Sequence, residues 1–171
     1  MHGFCWNKLY RMEIIRERGL RFSNEMGDTE DLFFTYSYLS HCTLTLHDPP
    51  RRVYHYYQRR DTSTRRSFAV AQLGTLQTYE RIMEEHEQTD PQLVQAAADE
   101  LCTEAVNLLW NYENSTMDMP HVRVDLIRLI RRLLPGYLLS GTFGVGRKFQ
   151  TILAAIAPKL YVRLKNTVHR T

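Results

Sequence analysis

The sequence predicts a mixed α/β segment over residues 1–70 followed by an all-helical remainder. Three observations carry that expectation. Two short extended runs, "CTLTLHD" from Cys42 and "RVYHYYQ" from Arg52, meet at the turn-forming "DPP". Apolar residues at helical spacing lie ahead of them, and from about Gln72 onward only helical spacing is found.

Taken in order, "LYRMEIIRERG" places Leu9, Met12 and Ile15 on one face, with Ile14 beside them, and Gly19 supplies a left-handed stop. A second helix starts near Asp28 and carries Leu32, Phe33, Tyr36 and Leu39. In the second extended run, alternation sets Val53, His55 and Tyr57 against Tyr54 and Tyr56. "LQTYERIMEEHEQ" follows as a helix. A longer one then opens with Asp90 as N-cap and Pro91 at its first position. "DMPHVRVDLIRLIRRLLPG" repeats that opening, with Asp118 or Met119 ahead of Pro120, and is expected to stop at Pro135-Gly136. The last segment reads as helical on both sides of Pro158. The resulting organisation is 1–70 mixed, 71–118 a helical extension, and 119–171 a basic amphipathic tail.

At 171 residues the chain has room for one sizeable core plus an appendage. Its net charge of +3 conceals a segregation. Residues 1–120 hold 12 Lys/Arg against 18 Asp/Glu, a balance of −6, whereas residues 121–171 hold 10 against 1, a balance of +9. The tail alone therefore calls for an anionic partner. Cys5, Cys42 and Cys102 are too far apart in sequence for a Cys/His metal pattern and fit a reducing compartment. No apolar run approaches the ~20 residues that span a bilayer, so a cytoplasmic chain, or one peripheral at the inner face of a membrane, is expected.

Candidate chemistry starts at "GDTEDLFFTYSYLSH", where Glu30 and Asp31 are adjacent at a helix start. Acids there satisfy orphan backbone N–H groups and the macrodipole, so a cap and a catalytic base are both open readings. His55, within a Tyr-rich run, is either a packed histidine or a ligand. Trp6 reads as a buried anchor for the next helix. "GTFGVGRK" imitates a phosphate loop without its GK[ST] ending and reads as a basic hinge.

The ordered series "GFCWNKLYRMEII", "GLRF", "TEDLFFTYSYL" and "PPRRVYHYYQRRDTSTRRS" resembles the C-terminal half of the catalytic domain of family 2 glycosyltransferases, over about residues 3–67. These are inverting nucleotide-sugar enzymes of the GT-A (Rossmann-like) fold. The resemblance implies the C-terminal portion of a GT-A domain followed by a helical, basic region. It implies transfer of a sugar from a nucleotide-sugar donor to a saccharide or lipid-linked saccharide acceptor, as in bacterial surface polysaccharide synthesis. Asp31 would be the general base, with Glu30 beside it, accepting the acceptor hydroxyl's proton as that oxygen attacks the anomeric carbon. Asp28 would then take the capping role.

By the same resemblance Trp6, Asn7 and Lys8 line the acceptor side, and Arg59, Arg60 and Ser63 cover the diphosphate. His55 would complete the sphere of a divalent Mn or Mg ion. The family's donor-binding half, with its Asp-x-Asp motif, has no counterpart in the sequence. The expectation is therefore that another chain supplies it or that the chain is a truncated product or fragment, and that this chain alone transfers no sugar. The alternative is a catalytically inactive remnant serving as a membrane- or protein-interaction module. In the tail, Val122, Leu126, Leu129, Ile130 and Leu133 form an apolar stripe beside Arg128 and Arg132. That stripe either meets an anionic membrane surface or packs on the rest of the chain. The tail's aromatics, Tyr137, Phe143, Phe149 and Tyr161, are widely scattered and do not interleave with basic residues at base-stacking spacing, so no nucleic-acid partner is expected.

Overall fold

The computed structural model describes residues 4–6, 8–23, 29–46 and 68–169, and the chain divides into two units, Met1–Arg66 and Ser67–Thr171. Among the described residues every regular element is helical. The α/β expectation, and with it a Rossmann-like GT-A portion, is thus corrected. Residues 42–46 of the first extended run are irregular, and Leu44 and Leu46 are exposed. A strand needs a partner for its backbone groups, and none lies alongside this segment among the described residues. The second extended run, 52–58, falls outside the described residues.

In the first unit, α1 (Met12–Glu17) is short and buries none of its residues fully. Gly19, at φ 59°, ends the turn as its sequence position predicts. Leu9 stands fully exposed, so the inner face of this segment rests on the half-buried Ile14 and Ile15. The second helix, α2 (Glu30–Leu39), buries Phe34, Thr35 and Tyr38, not the row Leu32, Phe33, Tyr36 and Leu39. Both faces are rich in aromatic residues, and long-range ring contacts decide between them. Phe22 stacks on Phe34 at 4.3 Å, while the Tyr10 ring meets Phe34 and Tyr38 edge-on at 5.6 and 4.8 Å.

The second unit is a helical stack: α3 (Gly74–His86), preceded by a 3-10 turn at Val70–Leu73, then α4 (Pro91–Glu113), α5 (Pro120–Leu139), α6 (Val145–Ile156) and α7 (Pro158–His169). The sequence segments 71–118 and 119–171 share one core, because α4 packs against both α3 and α5. Asp90 caps α4 by accepting the Leu93 N–H at 3.0 Å, ahead of Pro91. Leu101, Leu109 and Ile130 are fully buried at the centre.

The α5 helix does not stop at Pro135 but continues to Leu139. Proline in a helix interior costs ~3 kcal/mol. Continuation brings Tyr137 into the core, where it stacks on Phe143 at 5.2 Å, and its hydroxyl lies 3.3 Å from Thr103 Oγ1. The buried ring and its hydroxyl contact offset that cost. Beyond the turn, Lys148 Nζ donates to the carbonyls of Leu138 and Ser140 at 2.8 and 2.6 Å and so closes the end of α5. The basic "GVGRK" hinge is therefore the ordered start of α6, with Gly144 at its N-cap position.

Candidate functional site

The first unit brings the N-terminal segment onto the opening turn of α2. Thr29 occupies the N-cap position and makes no side-chain cap bond, so Glu30 and Asp31 are the acids of the first turn. Asp28, the expected cap, lies outside the described residues. Cys5 binds this turn from the side. Its Sγ–H points to the Asp31 carbonyl at 3.7 Å, with Thr35 Oγ1 at 3.6 Å. Tyr10 OH shares Thr35 Oγ1 at 3.2 Å, and the Arg11 N–H donates to Tyr38 OH at 2.7 Å.

These contacts create a half-buried cluster of mixed polarity. Burial pushes the Cys5 thiol up from its ordinary value, and the Asp31 carboxylate beside it adds to the rise. The Tyr10 phenol is pushed up to about 12, again mainly by burial. Both groups therefore stay protonated at neutral pH and act as hydrogen-bond donors. Burial lowers the Lys8 pKa while Cys5 and Asp31 pull it back up, which places the ammonium within electrostatic reach of Asp31. Lys8 Nζ also donates to the Phe4 carbonyl at 2.6 Å. Trp6 is 42% exposed and stacks on Phe4 at 5.3 Å, leaving part of the indole accessible.

Glu30 supplies the feature least explained by folding. Its Oε2 atom is buried and has no hydrogen-bond partner among the described residues. Buried carboxylate oxygens are ordinarily satisfied, because leaving one unpaired costs ~1–3 kcal/mol or more.

Of the residues singled out in the sequence, Trp6, Lys8, Glu30 and Asp31 belong to this one unit, and the charge of Asp31 is felt at Lys8. Asn7, His55, Arg59, Arg60 and Ser63 fall outside the described residues. Among the described residues no three His, Cys, Asp or Glu side chains converge as a metal site. Two adjacent carboxylates alone do not make a divalent-ion sphere, which takes six or more oxygens for Ca²⁺ and an octahedron for Mg²⁺. Cys5, Tyr10 and Thr35 were not readable as site residues. They are separated from each other by up to 30 positions, and no local spacing joins them.

No family model, curated protein or solved structure matches this chain. Among the described residues, no helix is long and apolar enough to cross a membrane.

Proposed function

We propose that the first unit carries the acceptor side of an inverting sugar-transfer site, with Asp31 as general base and Trp6 as the platform for the acceptor ring. The single observation that supports this most is the buried, unpartnered Glu30 Oε2 next to Asp31. A saccharide hydroxyl would donate to Glu30 once its side chain turns Oε2 outward, while a neighbouring hydroxyl passes its proton to Asp31 as its oxygen attacks the anomeric carbon and the nucleotide diphosphate departs with the electron pair of the broken bond. Asp31 stands in the N-terminal turn of α2, where backbone N–H groups without helical partners can orient its side chain. Lys8 lies within electrostatic reach of the same carboxylate and would hold it in place or bind a further hydroxyl. The nucleotide-sugar donor, and any divalent ion on its diphosphate, would be held by residues outside the described set. Three free thiols fit the cytoplasmic setting of this reading.

Saturation-transfer NMR of the full chain with neutral oligosaccharides tests acceptor binding. The expected outcome is transfer to at least one oligosaccharide that is lost in Trp6→Ala and retained in Asp31→Asn. Absence of transfer across the panel, or transfer indifferent to Trp6→Ala, would refute the acceptor role.

One observation favours the second reading, a non-catalytic interaction module. The described residues form helices without a strand against which a donor-binding half would pack. Saccharide binding without turnover in the presence of any donor would support it.

A further inference from the structure

The outer face of α6 and α7 is not used by the core of the second unit. The α5 stripe expected to face a membrane is consumed internally: Val122, Leu126 and Ile130 are buried, and Leu129 and Leu133 pack against the same cluster. In contrast, α6 keeps Val145, Phe149 and Ile156 exposed, and α7 keeps Leu160, Leu164 and Val168 exposed. Within each helix these residues recur at steps of four or seven, so each set forms one apolar row.

An open groove of about 740 Å³ runs between the two helices, with Phe149, Leu153 and Leu164 on its walls and Arg147 and Lys165 as its cations. The groove is anchored. Trp110 Nε1–H donates to Asn166 Oδ1 at 2.7 Å, and Asn166 Nδ2–H donates to Asn114 Oδ1 at 2.8 Å, tying α7 to α4. Lys165 Nζ sits 4.5 Å from the Trp110 ring centre and donates to Tyr161 OH at 3.1 Å. Burial lowers the Lys165 pKa, and neighbouring Arg147 lowers it further, so the two cations feel each other. The acid facing them is Glu104, whose own pKa is raised by burial and then by Glu100.

The charge of the surroundings selects the partner. After Asp125 the chain has nine Lys/Arg and no acid. A second copy meeting this face across a twofold axis would set cations against cations. An anionic amphiphile has both complements, a phosphate for Arg147 and Lys165 and an acyl region for the two apolar rows.

We propose that the α6–α7 face docks the chain on an anionic phospholipid surface, with Phe149 and Leu164 entering the acyl boundary and Arg147 and Lys165 meeting headgroup phosphates. The inference stands apart from the sugar-transfer reading, since it uses residues of the second unit only.

Flotation of the full chain with vesicles of phosphatidylcholine, with and without phosphatidylserine, tests it. Flotation is expected only with phosphatidylserine, weakening as salt is raised. The double variant Phe149→Ser/Leu164→Ser removes side chains that are 60% and 49% exposed, so its helical circular dichroism should match the parent. Its vesicle binding should fall ~tenfold or more. Val124→Ser, at a comparably exposed position on α5, should float like the parent. A Phe149→Trp variant adds a readout independent of loss, a blue shift in emission on phosphatidylserine vesicles.

Equal flotation with neutral vesicles, no flotation, or no effect of the double variant would overturn the proposal. Unshifted Phe149→Trp emission would do the same. So would a dimer in sedimentation velocity that the double variant dissociates, because the face would then belong to a second copy.

Discussion

The two units bury their side chains differently. In the second unit Leu101, Ala105, Leu109 and Ile130 lose all solvent contact, and most of the packed atoms are aliphatic. In the first unit, among the described residues, the buried side chains are Phe34, Thr35 and Tyr38, joined by ring edges, hydroxyls and one thiol. Aliphatic burial is non-directional and sums to a stable core. A network of hydroxyls and a thiol is directional, contributes less net stability per contact, and holds polar atoms in set places. The second unit thus rests mainly on aliphatic burial, with Asp99 held by Gln95, Ser140 and Thr142 as a buried polar centre, whereas the described part of the first unit rests mainly on directional contacts.

The largest expected effect tests the aliphatic core. Leu109→Ala leaves a cavity among fully buried neighbours, and such changes cost ~2–5 kcal/mol. Denaturant unfolding followed by far-ultraviolet circular dichroism should register that loss. A cost under ~1 kcal/mol would mean that the α4–α5 core is looser than its burial indicates.

A smaller change tests the directional network. Tyr38→Phe keeps the edge contact with Tyr10 but removes the acceptor of the Arg11 N–H, a loss of ~1 kcal/mol. Amide exchange at Arg11 should quicken while exchange at Leu109 stays as it was. Equal quickening of exchange across α4 by the same change would erase the distinction between the units.

The smallest effect is one of sign. Burial, and then Glu100, raise the Glu104 pKa above its ordinary 4.5, so the folded state binds the proton more tightly than the unfolded chain does. The associated stabilisation is fully present below 4.5 and is lost as pH rises through the higher folded value. Glu104→Gln should therefore raise the melting temperature at neutral pH, with the gain shrinking towards acid. A gain that grows towards acid would contradict the assigned cause.

How far the fold could be read from the chain followed how local each signal was. Asp90-Pro91, Gly19 and Pro158 act through neighbouring backbone groups, and the corresponding boundaries were legible. Pro135 was misleading because the burial of Tyr137 is decided by α4 and Phe143, remote in sequence. "CTLTL" alternates like a strand, but alternation does not supply a pairing partner. The α2 sequence is apolar on several faces, so Tyr10 and Phe22 choose its inner one. At the candidate site, motif order names Glu30, Asp31, Trp6 and Lys8 as candidates, and the structure describes all four. The contributions of Cys5, Tyr10 and Thr35 exist only once α2 and the N-terminal segment meet.

The central claim is that Asp31 removes a proton that Glu30 and Trp6 help to position. It is tested most directly by a radiolabelled sugar-transfer assay. The full chain would be combined with a donor-binding glycosyltransferase half-domain, a uridine-diphosphate sugar, and an oligosaccharide that binds in NMR. Transfer is expected to fall ~10²–10⁴-fold in Asp31→Asn, with oligosaccharide binding kept. Transfer by Asp31→Asn at the parent rate, or no transfer by the parent in any such pairing, would contradict the claim.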